Sequence, residues 1–553
     1  MVRLLFGPRV GGLRGLERNL TGGSPHRRYN FRHNALRTSL LALLLVAGTA
    51  AAQTLRVAVQ GDALSMDPHS LSEAVQLSLT GNIFEPLVTR DRQLKLVPGL
   101  ALRWTAVAPT TWRFELRRGV RFHDGTPFTA DDVVFSIQRA RGEGSDLRTQ
   151  LASVRDVRRT DDFTVEVLTH TPNAILPDLL TTTYMLSQRW ATANGAQSPV
   201  DRRQGKENAA SFQANGTGPF RLHERRPDVR TVLKRHTGHW GATDGNVTEV
   251  VFQPIASDAT RVAALASGAV DLIDPVPLQD VPRLQANKSL RVEQVPESRI
   301  IFLGFDQQRD ELLYSSVKGR NPFKDLRVRQ AFYQAIDVDS IVQRLLRGAA
   351  RPAALMVAEG MRGHSAELDR RMPYDPAAAR RLLAEAGYVQ GFELTLNCPS
   401  DRYVNDAEIC QAVAAQLARV GIRIRLQTEP KASYFPRILQ RNTSFYMAGW
   451  SPAGFDALHA IYALMATPAG GQGQWNLGSY SQPRIDALVK AIQAETDSVK
   501  RTALLQQALA LHRDDVGHIP LHQQFLTWAM RANVEAPMRA DNFMVFDWVK
   551  LRN

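Results

Sequence analysis

No stretch of this chain approaches the roughly 20 consecutive apolar residues that a helix needs to cross a bilayer. Its apolar residues, 44% of 553, must therefore be buried by folding. The most apolar run, Leu40-Leu-Ala-Leu-Leu-Leu-Val46, follows Arg37-Thr38-Ser39 and leads into Ala47-Gly-Thr-Ala-Ala-Ala52. A basic flank, a short apolar run and a small-residue end form the pattern of an export signal, so residues 1–52 are expected to be removed. Cleavage is expected after Ala52, or one or two residues earlier. The flank is long: residues 1–37 carry eight arginines against Glu17 alone, a net of +7 out of the chain's +14. The remaining excess is spread thinly and forms no Lys/Arg block, so a nucleic-acid partner is not expected. No cysteine follows the apolar run, so no lipid anchor is expected. Cys398 and Cys410 are the only cysteines, and in an oxidising compartment they are expected to pair.

From Thr54 onward the patterns of strand and helix alternate. Thr54–Val59 alternates apolar and polar and reads as an opening strand, and residues 73–84 read as a helix. Strands are predicted at 112–116, 164–168, 300–305, 393–396, 423–426 and 444–448. Helices are predicted at 133–141, Asp258–Ser267, 325–335, 338–347, 376–386, 407–420 and over most of 482–511. Several end at a glycine: Gly268, Gly387 and Gly421. Alternation of this kind implies an α/β protein with mixed sheets. No internal repeat and no low-complexity linker interrupts it.

A search for catalytic motifs finds none. The chain has no G-x-S-x-G, no G-x-x-x-x-G-K-[ST] and no H-E-x-x-H. His236 and His239 are three apart with Gly238 between and no acid at ligand spacing, so no metal site is expected. His518 and His522 flank Pro520 and do not share a helical face. The acid pairs Asp131-Asp132 and Asp161-Asp162 follow turn residues and read as caps or turns. An exported chain of this size without a catalytic constellation points to binding, with no cofactor.

The stretch Trp112-Arg-Phe-Glu-Leu-Arg-Arg-Gly-Val-Arg-Phe-His-Asp-Gly-Thr-Pro-Phe-Thr-Ala-Asp-Asp-Val133 resembles the signature of family 5 solute-binding proteins. Further likenesses follow in order: Asn215-Gly-Thr-Gly-Pro-Phe220, Gly268-Ala-Val-Asp271, Asp325-Leu-Arg-Val-Arg-Gln-Ala331, Tyr374-Asp-Pro376, Gly449-Trp450, Asn476 with Tyr480, and His518-Ile-Pro-Leu521. The resemblance implies a two-lobed periplasmic binding protein of type II, like cluster C, with mixed sheets. It implies lobe I over residues 53–298, with an extra subdomain at about 92–214. Lobe II would span 299–519, and 520–553 would return to lobe I. The lobes would cross near 298–305 and 520–528 and close over a ligand. The implied partners are a small peptide-like solute and the permease and ATPase of an ABC importer, with the receptor itself a monomer. Nickel-chelate, opine and sugar-like solutes, and from another class an exported hydrolase, are the alternatives.

In peptide-binding members of that family an Asp three residues after the Gly-Trp tryptophan holds the peptide ammonium. Here Ala453 stands at that position, and Asp456 is the nearest acid. Asp456 is therefore expected to take an amine if the ligand has one. Trp450 is expected to stack on the ligand, and Ser65, Met66 and Asp67 to line the lobe I side. The loop Cys398-Pro-Ser-Asp-Arg-Tyr-Val-Asn-Asp406 lies between a predicted strand and helix, the usual crevice position in α/β sheets. Arg402 is expected to grip a carboxylate. Tyr403 would offer a stacking face. Asn405 and Asp406 would offer polar contacts or cap the helix that follows.

Overall fold

The computed structural model describes residues 53–552 apart from 453, 470 and 496. The expected export signal, residues 1–52, and Ala453 lie outside the described residues. An eleven-stranded mixed sheet runs through the protein. In spatial order its main path is Ile422–Glu429, Phe392–Pro399, Phe445–Trp450, Leu290–Phe305, Ile519–Arg531, Leu272–Asp274, Thr54–Val59, Glu249–Pro254, Arg230–Arg235 and Phe220–Arg226. The short strand Ala350–Pro352 pairs off this path with Ile519–Arg531. Thr54–Val59 lies parallel to both its neighbours, as does Phe392–Pro399, and the central pairs are antiparallel.

Two long strands carry the sheet from one half to the other. Leu290–Phe305 pairs with Ile519–Arg531 from Leu290↔Arg531 to Leu303↔Ile519. The register breaks between Pro296 and Ile300, where the first strand takes four steps against two on its partner. Such a bulge bends and twists the strand that carries it. On one side of this break Ile519–Arg531 continues to Leu272–Asp274, and on the other Leu290–Phe305 continues to Phe445–Trp450. Glu297, Ser298 and Arg299 therefore sit where the chain passes between the halves.

Each half has its own core. Leu55, Val57, Phe84, Phe220, Phe252 and Trp528 belong to one. In the other, Phe305, Phe323, Phe332 and Phe445 cluster with ring centroids 4.7–6.5 Å apart. Within residues 92–214 lies a separate four-stranded antiparallel sheet in the order Ala101–Ala108, Thr111–Leu116, Thr164–Thr169, Val154–Asp161. Its core includes Phe114, Phe122 and Phe128.

Most predicted elements form, with informative differences. The helix expected at 133–141 starts earlier, at Ala130, because Thr129 and Asp132 close a capping box. The helix expected at 73–84 is only Ala74–Thr80, with Glu73 as its cap. The helix expected at 338–347 is one turn, Val338–Ser340, that widens into a π turn at Ile341–Leu345. The long helix expected at 482–511 is two, Pro483–Ala494 and Ser498–Asp514, the second started by the Asp497 carboxylate accepting from the amides of Val499 and Lys500. The expected disulfide is present, joining Cys398 at the end of a strand to Cys410 in the helix Asp406–Ala418.

Buried charge holds the early turn in place. The Arg139 guanidinium donates to both carboxylate oxygens of Asp67, at 2.8 and 2.6 Å, and both side chains are fully buried. Removing one partner of such a pair leaves an uncompensated buried charge. Arg139→Met is therefore expected to destabilise the protein by about 3–5 kcal/mol, read as a loss of denaturation midpoint.

Burial also keeps His69 neutral, lowering its pKa to about 4, and does the same for His518 and His522, to about 3 each. The unfolded chain therefore binds more protons than the native state once pH falls below the ordinary histidine value of about 6.5. The stability these groups contribute is complete above that value and is lost between it and about 3. Asp274 works in the opposite sense: burial raises it to about 7, so its contribution is lost as pH rises through that value. Thermal melting as a function of pH is expected to fall on the acid side of 6.5. His522→Leu, which removes a buried imidazole with both ring nitrogens unpartnered among the described residues, is expected to make that acid limb shallower.

Candidate ligand site

A cavity of about 560 Å³ lies between the two halves, beside the register break. One wall comes from residues 72–99, 181–184, 239–240 and 539–548, and the facing wall from Arg299, Arg402, Ser451 and Pro452. A second cavity of about 590 Å³ is lined only by residues between 135–144 and 197–206, away from the crossing strands. Among the described residues no group of three His, Cys, Asp or Glu side chains is placed to hold a metal.

Arg402 is the predicted residue that reaches the cleft. Its loop is built by Asp406, whose Oδ2 accepts from the backbone amides of Arg402 and Tyr403 at 2.9 and 3.0 Å. Burial raises the Asp406 pKa, and these amides oppose that rise. Asn405 takes a left-handed conformation with φ 53°, and its side-chain amide donates to the Leu345 carbonyl at 2.9 Å. Asn405 and Asp406 thus shape the loop rather than line the cavity. The Tyr403 hydroxyl accepts from the Gly449 amide at 2.8 Å, fastening the loop to the strand Phe445–Trp450. The Tyr403 ring lies under two guanidiniums, Arg402 at 5.2 Å and Arg299 at 6.0 Å. The ring is buried and absent from the cavity wall, so it serves as a platform for the arginines instead of an open stacking surface. Desolvation first, and repulsion from Arg299 second, lower the Arg402 pKa from the usual guanidinium value.

Other predicted residues are placed elsewhere. Ser65, Met66 and Asp67 are fully buried and do not line the cavity. Asp67 is committed to Arg139, and the wall expected from these three is supplied a few residues later by Ser72, Glu73 and Ala74. Asp456 is also committed. Both its oxygens accept from the Arg501 guanidinium, and its Oδ1 accepts from the Leu458 amide at 2.9 Å. Asp456 and Arg501 are both buried, so this carboxylate is part of the scaffold and not a free partner for an amine. Trp450 is half-buried against Trp475, with centroids 5.6 Å apart, and the cavity wall begins one residue later, at Ser451. Its indole nitrogen is buried without a partner among the described residues.

The residues that sequence reasoning missed lie at the crossing. Glu297 accepts from Arg299 Nε at 2.9 Å and from Gln524 Nε2 at 2.9 Å, which aims Arg299 at the cleft. Arg539 and Asp541 pair with each other on the opposite wall. The available signal was position: Glu297 and Arg299 flank the expected crossing at 298.

Asp456→Asn is expected to weaken the protein without weakening its cleft. It strands the buried Arg501 charge, at a cost of about 3–5 kcal/mol. Denaturant unfolding is expected to show that loss, while the solute affinity of the folded fraction stays within twofold.

Residues 95–472 match the family model for bacterial extracellular solute-binding proteins, family 5, middle region. The chain is 26% identical over 473 residues to the glutathione-binding protein GsiB of Pectobacterium atrosepticum, covering 83% of this chain and 86% of that one. It is 26% identical over 511 residues to a dipeptide-binding protein of Escherichia coli, covering 86% and 90%. Its fold is similar to that of the periplasmic binding protein DppA from Helicobacter pylori in complex with the peptide STSA, with a TM-score of 0.75, 23% identity and coverage of 90% and 98%. A dipeptide-binding protein from a Pseudoalteromonas species, in complex with Met-Leu, shares the fold with a TM-score of 0.75 at 19% identity, covering 90% and 100%. A matched span of this length, over a sheet split by two crossing strands with a cavity at the crossing, makes the chain a member of family 5 of the bacterial extracellular solute-binding proteins.

Proposed function

We propose that this protein is a periplasmic receptor that binds a peptide-like solute between two lobes and hands it to the membrane permease of an ABC importer. Lobe I comprises residues 53–298, with its subdomain at about 92–214, and the returning segment 520–553. Lobe II comprises 299–519. Residues 1–52 direct export. The receptor acts as a monomer and turns nothing over. Closure of the lobes about the crossing strands buries the solute and creates the surface that the permease reads.

The observation that carries this reading is Arg402. Its guanidinium opens into the cavity with no carboxylate partner among the described residues, on a loop fixed by a disulfide, a tyrosine and an aspartate. A planar fork held in this way suits a carboxylate taken in bidentate fashion, the group at the end of every peptide. The curated relatives supply the solute class, because they are named for glutathione and for dipeptides.

Native mass spectrometry of protein taken from the periplasm is expected to show one small solute bound per chain. Titration calorimetry with glutathione and with Met-Leu is expected to give saturable binding to at least one. Arg402→Ala is expected to weaken that binding tenfold or more, about 1.4 kcal/mol. Enzyme-like turnover of peptide or ester substrates without stoichiometric binding would overturn the receptor reading in favour of a hydrolase.

A further inference from the structure

The charges that line the cleft cavity can be matched with their partners. Arg90 donates to Asp178 at 2.9 Å, Arg299 to Glu297 at 2.9 Å, and Arg539 to Asp541 at 3.0 Å. Among the acids, Glu85 accepts from the Trp240 indole at 2.8 Å and faces His239 at 3.2 Å. Asp91 accepts from the backbone amides of Gln93 and Lys95, at 2.9 Å each. Asp547 accepts from Arg235 at 2.6 Å. Asp91 is thus satisfied by backbone amides alone, and two lining charges are left with neither an ionic partner nor a side-chain hydrogen bond shorter than 3.4 Å among the described residues. One is Arg402. The other is Glu73, on the opposite wall, whose one hydrogen bond is a long 3.4 Å contact from the Gln76 amide in its own turn.

These two charges have opposite sign and line the same cavity, one on each wall. Glu73 is exposed to the cleft, and its carboxylate is near enough to support the Arg402 charge. The carboxylate that could have met an amine beside Trp450 is absent, since Ala453 stands there and Asp456 is consumed by Arg501. An ammonium group enclosed without a counter-charge is strongly disfavoured.

We propose that Glu73 binds the ammonium group of the solute, so that the cleft holds a zwitterion with its amine on the Glu73 wall and its carboxylate on Arg402. The inference rests on the receptor reading above and adds the orientation and charge class of the solute. The two ends of one ligand then bridge the two walls. Its charge separation is matched when the cleft closes, and a solute lacking either end leaves one wall charge enclosed and unpaired.

The test is calorimetric titration of the exported protein with Met-Leu and glutathione, each in its free-amine and N-acetylated form. Glu73→Gln is expected to weaken the free-amine form of a bound probe tenfold or more and not to weaken the acetylated form, whose binding leaves the wild-type Glu73 charge unpaired. Glu73→Asp, which keeps the charge, is expected to recover part of the loss, and this separates a charge effect from a disturbed turn. Free-amine binding within twofold of wild type in Glu73→Gln overturns the proposal, as does an equal loss on both forms. If wild type binds neither free-amine probe but native mass spectrometry finds a retained solute without an amine, the proposal falls and the receptor reading stands. If no solute is bound at all, the receptor reading falls and takes the proposal with it.

Discussion

The pairing of Leu290–Phe305 with Ile519–Arg531 is the constraint on which the rest of the structure depends. Each strand belongs to both halves of the sheet, so the halves cannot move independently without a break in this ladder. The ladder already contains two, between Pro296 and Ile300 and between Ile301 and Phe302. Backbone groups released there find other partners: the Ser298 amide donates to the Ala540 carbonyl at 2.8 Å, and the Gln523 side-chain amide to the Glu297 carbonyl at 2.8 Å. The Ser298 hydroxyl meets that of Ser451 at 2.8 Å. Rotation of one half against the other is most cheaply absorbed where the ladder is already broken, because the regular pairing of Leu290–Pro296 is left intact. The cavity opens at the same place, so a ligand held there would act where the fold is easiest to bend.

A second theme is how the chain uses its arginines. Arg139 with Asp67, Arg501 with Asp456 and Arg225 with Asp62 are all buried pairs. Each is excluded from water, so each requires its partner and is unavailable to anything else. The scaffold thereby takes up carboxylates that would otherwise compete for a charged solute. Arg402 differs because the strongest charge acting on it is that of another guanidinium, Arg299. Local geometry neutralises the first group and leaves the second exposed.

This division explains what the sequence could and could not disclose. Strand Thr54–Val59 and helix Asp258–Ser267 were legible to the residue, because an alternating pattern and a serine-to-glycine span are local signals. The place of Arg402 on the cavity wall was legible as well, since a loop from strand to helix in an α/β sheet usually borders a crevice. Asp67 and Asp456 were misread for a common reason. Their partners are 72 and 45 residues away, and no pattern near either aspartate reports that an arginine will arrive. The π turn at Ile341–Leu345 lay in a sequence with ordinary helical composition, so its wider turn was equally invisible.

The two ends of the proposed ligand site differ in stiffness, and that difference has a consequence. Arg402 stands within a loop enclosed by the Cys398–Cys410 bond, held from below by Asp406 and Tyr403. Its backbone therefore has little freedom left to lose when the guanidinium, set over the Tyr403 ring, meets a carboxylate. Glu73 caps a seven-residue helix through a single long contact and keeps more of its rotamer freedom. A solute would therefore gain its firm first hold at Arg402, while the Glu73 contact forms at an entropic cost that closure must offset. Affinity would then be set chiefly by the rigid wall, and discrimination between charged and capped amines by the softer one.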